Sequence, residues 1–347
     1  MNRSLFFMLA AAVMMAVAVS SCSGEKDCYL RSLDLQIDTL YATSCFNVEE
    51  CSMFQASDLV TLDDEWVLLS SIQGKHKLLF LNISTKEHFF AIRKGRGPGE
   101  AIQGGDLHKF QDIVHYYDYD DGVYMNINVA ESICNKQISI DTAVVFEHTP
   151  SKPVRLISCR DGIVSCNIED PKRWYCLCDY SGLVQSYVST LTFLEESLSK
   201  DFLLSVILSS KYCSDPDGTR ICAANVAFPA LSFARIDSGK LIEYKRYEIA
   251  PESGNLQKNG FTSDDINAFS DVHSSKDGFY VLYSGHKIKG DILPSNECHH
   301  LIKYDFNGIP VKHYYLDKNI CSLQVEGEVI TAVSTYPESC VYKFNLK

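Results

Sequence analysis

Long runs of lysine and arginine are missing from this 347-residue chain, whose formal charge is −12. Binding along a phosphate backbone needs a concentrated basic face, so nucleic acid is not an expected partner. The 14 cysteines include no C-x-x-C pair, which removes the usual spacing of a structural zinc site. No G-x-S-x-G elbow occurs and the ten histidines are scattered, so no serine has a local base. After residue 21 no apolar run approaches the roughly 20 residues that cross a bilayer. The sequence therefore asks for no cofactor, offers no metal ligand set and assigns no catalytic residue.

What is present begins with a targeting segment. Arg3 precedes an unbroken apolar run from Leu5 to Val19, and the small residues Ser20 and Ser21 lead directly to Cys22. The run is too short for a membrane span and reads as a secretory signal. Cys22 resembles the lipid-bearing cysteine of a bacterial lipoprotein, cleaved before it and then acylated. Ordinary cleavage nearby, leaving Cys22 a plain thiol, is the alternative. The expected organisation is a signal peptide at 1–21, a polar tether at 22–32 and a folded body at 33–347. Cleavage leaves 347 − 21 = 326 residues, within range for one all-β domain. The membrane, reached through the lipid, is then one partner, and the expected location is the bacterial envelope at its outer membrane.

Removing Cys22 leaves 13 cysteines, so at least one cannot pair within a monomer. Cys176 and Cys178 sit two apart, on one face of a strand. A two-residue turn at Asp161-Gly162 sets Ile157, not Cys159, opposite Cys166. Most of these thiols read as small buried hydrophobes. Cys298-His299-His300 is the nearest thing to a ligand cluster, and it reads as a surface loop because neighbouring strand residues diverge.

Beyond residue 30 the dominant pattern is period-two alternation cut by short Asp-, Asn- and Gly-rich turns. One kind of turn precedes an apolar strand, as at Asp63-Asp64-Glu65, Arg160-Asp161-Gly162, Asp215-Pro216-Asp217-Gly218 and Lys276-Asp277-Gly278. A second kind closes a later strand, as in "DYSG" at 179–182 and "DFNG" at 305–308. The hairpins group into six units, near 54–92, 106–140, 152–191, 211–249, 267–317 and 318–347, which predicts an all-β, six-bladed propeller. The second unit is the least regular, its first turn only implied near Gln111-Asp112. The last unit offers three strands, while "LDLQIDTL" at 33–40 alternates cleanly and belongs to no hairpin. Pairing 33–40 with the last blade closes the ring and removes two open sheet edges. From Leu194 to Leu208 the apolar residues recur at helical spacing, predicting one short amphipathic helix over a blade edge.

Between the first two units lies "AIRKGRGPGEAIQGG", Ala91 to Gly105. It lacks the Lys-Ser/Thr of a nucleotide loop, Pro98 removes a donor, and a strand rather than a helix follows. A Gly-Arg-Gly-Pro-Gly-Glu stretch after a first blade and before "IVHYYDY" resembles the TolB-like six-bladed propeller lipoproteins of Bacteroidetes. With the lipoprotein signal and the blade pattern, that resemblance spans nearly the whole chain. It implies a six-bladed fold tethered by lipid and brings no catalytic set.

The loop has two readings. One is a tight crossover between blades, with Arg96 and Glu100 bonded to nearby backbone. The other is a cationic rim, in which Arg93, Lys94 and Arg96, with Glu100 beside them, meet an anionic ligand or an acidic partner. Tyrosine-dense stretches, including Trp174 and Tyr175 in "RWYC", suit stacking on a sugar or gripping a peptide, or else fill the wedge between blades. The carboxylates of Asp118-Tyr119-Asp120-Asp121-Gly122 fail the spacing of a calcium loop, since Gly122 and Val129 stand where oxygen ligands are needed. The first functional reading is a monomeric, non-catalytic binding or scaffolding propeller holding an envelope protein, peptide or glycan. The alternative is a calcium-type propeller hydrolase or lyase, its site assembled across blades.

Overall fold

A computed structural model describes residues 27–346 apart from 54, 72–73, 96, 98–99, 102–104, 120, 147–154, 167–169, 171, 193–209, 250–265 and 288–297. The signal segment, Cys22, Arg96 and the expected helix at 194–208 lie outside the described residues. Within the stretch expected to be a tether, Cys28–Ser32 forms a short helix. Asp27 caps it, its carboxylate accepting from the backbone N–H groups of Tyr29 and Leu30 at 2.8 and 3.2 Å.

From Leu35 onward the chain is one compact unit. Its strands form antiparallel blades in sequence order. The first holds Ala56–Thr61, Trp66–Ser71, Leu78–Asn82 and His88–Phe90, and the second Gly105–Phe110, Ile113–Asp118, Val123–Ile127 and Ile140–Val145. The third holds Arg155–Cys159, Gly162–Cys166, Arg173–Cys178 and Val184–Ser189, and the fourth Ser210–Ser214, Arg220–Asn225, Ala230–Asp237 and Lys240–Glu248. Ile266–Ser275, Gly278–Lys287, Cys298–Tyr304 and Pro310–Ile320 make the fifth; Ser322–Glu326, Val329–Ser334 and Cys340–Asn345 belong to the sixth. Six blades arranged as a propeller are what the hairpin count predicts.

The ring closes through the N-terminal region, but with a different strand from the one expected. Ile37–Leu40 runs parallel to Pro310–Ile320 as a fifth strand on the fifth blade. The missing fourth strand of the last blade is Ser44–Asn47, antiparallel to Cys340–Asn345. Alternation marks 33–40 as a strand without naming its partner, and "SCFN" is too short to announce itself. Pairing with the last blade starts at Thr43, whose N–H donates to the Lys343 carbonyl at 2.7 Å. Phe46 and Val48 then pack into a core shared with Leu59 and Val67 of the first blade and Val333 and Val341 of the last. That core gives the seam an apolar interior like the others.

Aspartates hold the turns because a short carboxylate reaches backbone N–H groups two to five residues on. Asp63 Oδ1 accepts from Glu65 and Trp66, Asp215 Oδ1 from Thr219 and Arg220, and Asp305 Oδ1 from Asn307 and Ile309. The implied turn of the second blade is present at Gln111-Asp112, with Gln111 at φ +55°. In the third blade the two-residue turn is Arg160-Asp161. Cys159 therefore pairs with Gly162, and Arg155 stands opposite Cys166. No disulfide forms among the 13 cysteines after Cys22, and nine of them are buried. Burial pushes the thiols of Cys159, Cys166 and Cys176 up to about 12, which keeps them protonated and inert.

Two features depart from the sequence reading. Val129–Asn135 is a helix inserted before the last strand of the second blade, which carries that blade on to Val145. Asn128 caps it by accepting from the Glu131 N–H at 3.0 Å. Cys298-His299-His300 is not a surface loop but opens a strand, with Cys298 buried.

Candidate functional site

Three places could bind: the axis of the ring, the glycine-rich loop and the clefts between blades. The axis is built from the inner strand of each blade. Six of those strands send Asp58, Asp106, Arg155, Lys211, Asp271 and Ser322 toward it, one residue from each blade. Arg155 pairs with Asp106 at 3.0 Å, joining the third blade to the second. Lys211 Nζ lies 3.7 Å from Asp58, linking the fourth blade to the first across the ring. Ser322 donates to one carboxylate oxygen and approaches a second, with Asp271 Oδ2 at 2.7 Å and Asp58 Oδ1 at 3.0 Å. Farther along, Lys109 Nζ reaches the Thr61 carbonyl at 3.1 Å and Glu326 at 3.5 Å.

The carboxylates of the axis are thus already faced by cations or hydrogen-bond donors. The remaining cavity is about 70 Å³, far below the ~300–1,000 Å³ of small-ligand sites. Among the described residues, no three His, Cys, Asp or Glu side chains converge to hold a metal. A divalent ion entering here would compete with Arg155 and Lys211 for the same oxygens.

Burial, opposed by Lys211 and reinforced by Asp58, pushes the Asp271 carboxyl up to about 6. A carboxyl raised in the folded state takes up a proton on folding. Its cost is absent below the unfolded value near 4 and complete above about pH 6. Asp271→Asn is expected to be roughly 1–3 kcal/mol more stable than wild type at pH 8, converging with it near pH 4. Melting curves across that range check this; an advantage that persists undiminished at pH 4 would refute it.

The loop between the first two blades is a clasp. Arg93–Lys94 and Glu100–Ala101 form a two-residue parallel ladder. The Glu100 carboxylate accepts from the Gly97 N–H at 2.8 Å, and the Glu100 N–H donates to the Gly97 carbonyl at 3.0 Å. A Cβ on Gly95 would overlap that carboxylate, so a larger residue there would push Glu100 away from the Gly97 N–H. Glu100 therefore serves the crossover reading. Arg93 and Lys94 are exposed, and neither is among the described residues that line the axial cavity.

Trp174 and Tyr175 correct the expectation of ligand stacking. Both are fully buried in the core between the third and fourth blades. Trp174 Nε1 donates to Ser210 Oγ at 2.8 Å, the Arg246 guanidinium lies 5.4 Å from its ring centre, and the Tyr175 hydroxyl meets Ser232 Oγ at 2.9 Å. Apolar bodies with one satisfied polar tip are what a wedge between two sheets requires.

An open cleft of about 350 Å³ lies instead between the second and third blades. His115, Tyr124, Asn126 and Thr142 line its second-blade wall; Ser158, Arg160 and Tyr180 line the other. Tyr180 projects from a turn fixed by Asp179, whose Oδ1 accepts from the Ser181 and Leu183 N–H groups at 2.9 and 3.1 Å. Gly218, at φ +68°, lets the fourth blade's turn press against this wall. A Cβ there would stand 2.5 Å from Phe110 Cζ and 2.6 Å from the Arg160 nitrogen. Of "HYYDY" only His115 lines this wall, Tyr116 and Tyr117 being buried in neighbouring cores, and the cleft needs residues from two blades, which no spacing in one sequence announces.

The model for the TolB-like 6-blade propeller-like family matches residues 74–328, well over half of the chain. The chain belongs to that family. Among solved structures, this TolB-like propeller is similar to a putative exported protein of Bacteroides fragilis, with a TM-score of 0.54 and 12% identity over 90% of this chain and 100% of that one. It is also similar to a member of the DUF4221 family from Bacteroides vulgatus, with a TM-score of 0.54 and 10% identity over 90% and 98%. The allergen Mala s 1 of Malassezia sympodialis aligns with a TM-score of 0.51 and 11% identity over 84% and 92%. At such identities the TolB-like propeller shares a fold with these proteins. No curated protein sequence matches it.

Proposed function

We propose that the protein is a lipid-anchored, non-catalytic binding propeller of the bacterial envelope, which takes its ligand in the cleft between the second and third blades. The observation that carries this reading is the contrast between the two cavities. The axis, where a propeller hydrolase would gather a metal, is crossed by its own ion pairs and leaves about 70 Å³, while the cleft leaves about 350 Å³, enough for a small ligand or a side group of a larger one. The cleft also lacks the arrangement that acyl transfer needs. Burial pushes its histidine, His115, down to about 4, and Asn126 occupies the Nδ1 side of the ring.

The anchor rests on the sequence from Leu5 to Cys22. Expressed in a bacterial host with radiolabelled palmitate, the wild type is expected to take up label and Cys22→Ala to take up none. Equal labelling would remove the anchor from the proposal.

A further inference from the structure

We propose, building on the binding reading above, that the cleft between the second and third blades holds a hydroxylated sugar ring, as a free monosaccharide or the terminal unit of a glycan. The charge of the lining comes first. Among the described residues that line it there is no Asp or Glu, and Arg160 is the one cationic side chain once His115 is neutral. A cationic amine would find no counter-charge, so the occupant is neutral or carries negative charge.

The hydrogen-bonding pattern narrows the class. His115 is 4% exposed, and its Nδ1 lies 2.7 Å from Asn126 Oδ1. With the carbonyl oxygen of Asn126 as acceptor, Nδ1 carries the proton and Nε2 is a bare acceptor. Nε2 has no partner among the described residues. The ring of His108 stacks on that of His115 with centroids 4.8 Å apart. His108 Nε2 accepts from the Ser158 N–H at 3.0 Å, which leaves the proton on Nδ1, also without a partner. Of the two rings only His115 lines the cleft, so the cleft holds one orphaned acceptor, His115 Nε2, while His108 behind it lines the axial cavity. That acceptor costs about 1–3 kcal/mol while unmet, and a hydroxyl, which can donate to it and accept from the Arg160 fork, is the simplest neutral group that serves such a site.

The walls complete the case. Thr142 and Arg160 are exposed on opposite sides and offer a hydroxyl and a fork of donors. Tyr180 is 53% exposed at the rim, on a turn whose backbone is already fixed by Asp179, so its ring can meet the C–H face of a pyranose without the cost of ordering the turn. An aromatic rim, a lining whose described residues hold no carboxylate and an orphaned acceptor for a hydroxyl together describe a sugar site.

The test is saturation-transfer NMR on the full chain in detergent, with glucose, galactose, mannose and N-acetylglucosamine as separate probes. At least one probe is expected to receive saturation, and Tyr180→Ala to weaken its binding at least tenfold with an unchanged melting curve. Tyr187→Ala, an exposed tyrosine of the same blade outside the cleft, should bind as wild type does. Binding should be level from pH 8 to pH 5 and fall as His115 gains a proton near pH 4. Silence from all four probes, or equal transfer in Tyr180→Ala, overturns the proposal. If wild type captures an envelope component that Tyr180→Ala does not, while all four sugars stay silent, the sugar assignment fails and the binding reading survives.

Discussion

Gly278→Ala is expected to cost roughly 3 kcal/mol or more, enough to lower the melting temperature by several degrees, without any change in a ligand contact. Gly278 opens the second strand of the fifth blade at φ +155°, and a Cβ built on it would overlap the backbone carbonyl oxygen of Tyr304 in the neighbouring strand. A backbone atom cannot rotate away as a side chain can, so the strands must part. Gly162 occupies the same position in the third blade at φ +148°, where a Cβ would overlap the Cys178 carbonyl. Gly162→Ala should therefore cost a similar amount. Gly327 provides the control: it sits in a left-handed turn at φ +59° with nothing within 4 Å of a Cβ. Gly327→Ala should cost only about 1 kcal/mol, the local penalty of that conformation. Chemical denaturation of the three variants checks the comparison, and equal losses in all three would disprove the close-approach argument.

Arg155→Met is expected to destabilise the propeller by about 3–5 kcal/mol at pH 8. Asp106 is half-buried and is ion-paired to the Arg155 guanidinium at 3.0 Å. Methionine conserves much of the volume, so the loss comes from an uncompensated carboxylate near the axis rather than from a void. Arg155→Lys separates this from a packing defect, because it keeps a cation beside Asp106 while changing the shape of the side chain. Chemical denaturation should show the lysine variant recovering most of the loss. A loss as large as that of Arg155→Met would point to packing instead.

The blades were legible because their signals are local. Strand alternation and Asp- or Gly-bearing turns recur within a few residues, and the aspartates do cap the turns as their side-chain reach allows. The closing strand was half legible. "LDLQIDTL" alternates, but its alternation reflects an exposed edge on the fifth blade, while the shorter Ser44–Asn47 completes the sixth. The inserted helix at Val129–Asn135 carries a readable signal in Asn128 and Glu131, hidden behind the expectation of a plain hairpin. Trp174 and Tyr175 show the limit for single residues: the same ring suits a mouth or a wedge, and only the neighbouring blade decides. The cleft combines His115 with Tyr180 from another blade, so its chemistry exists only once the sheets are side by side.

The two N-terminal strands also determine how the ring would meet a mechanical load. Three residues, Tyr41 to Thr43, separate Ile37–Leu40 on one sheet from Ser44–Asn47 on the next. Tension applied upstream of Ile37 is met first by the parallel rungs against His313 to Leu316, which must slip together in shear instead of unzipping singly. The seam at Cys340–Asn345 lies behind that brake. A molecule pulled by its leading end would thus strain an added outer ribbon before the circle itself could open.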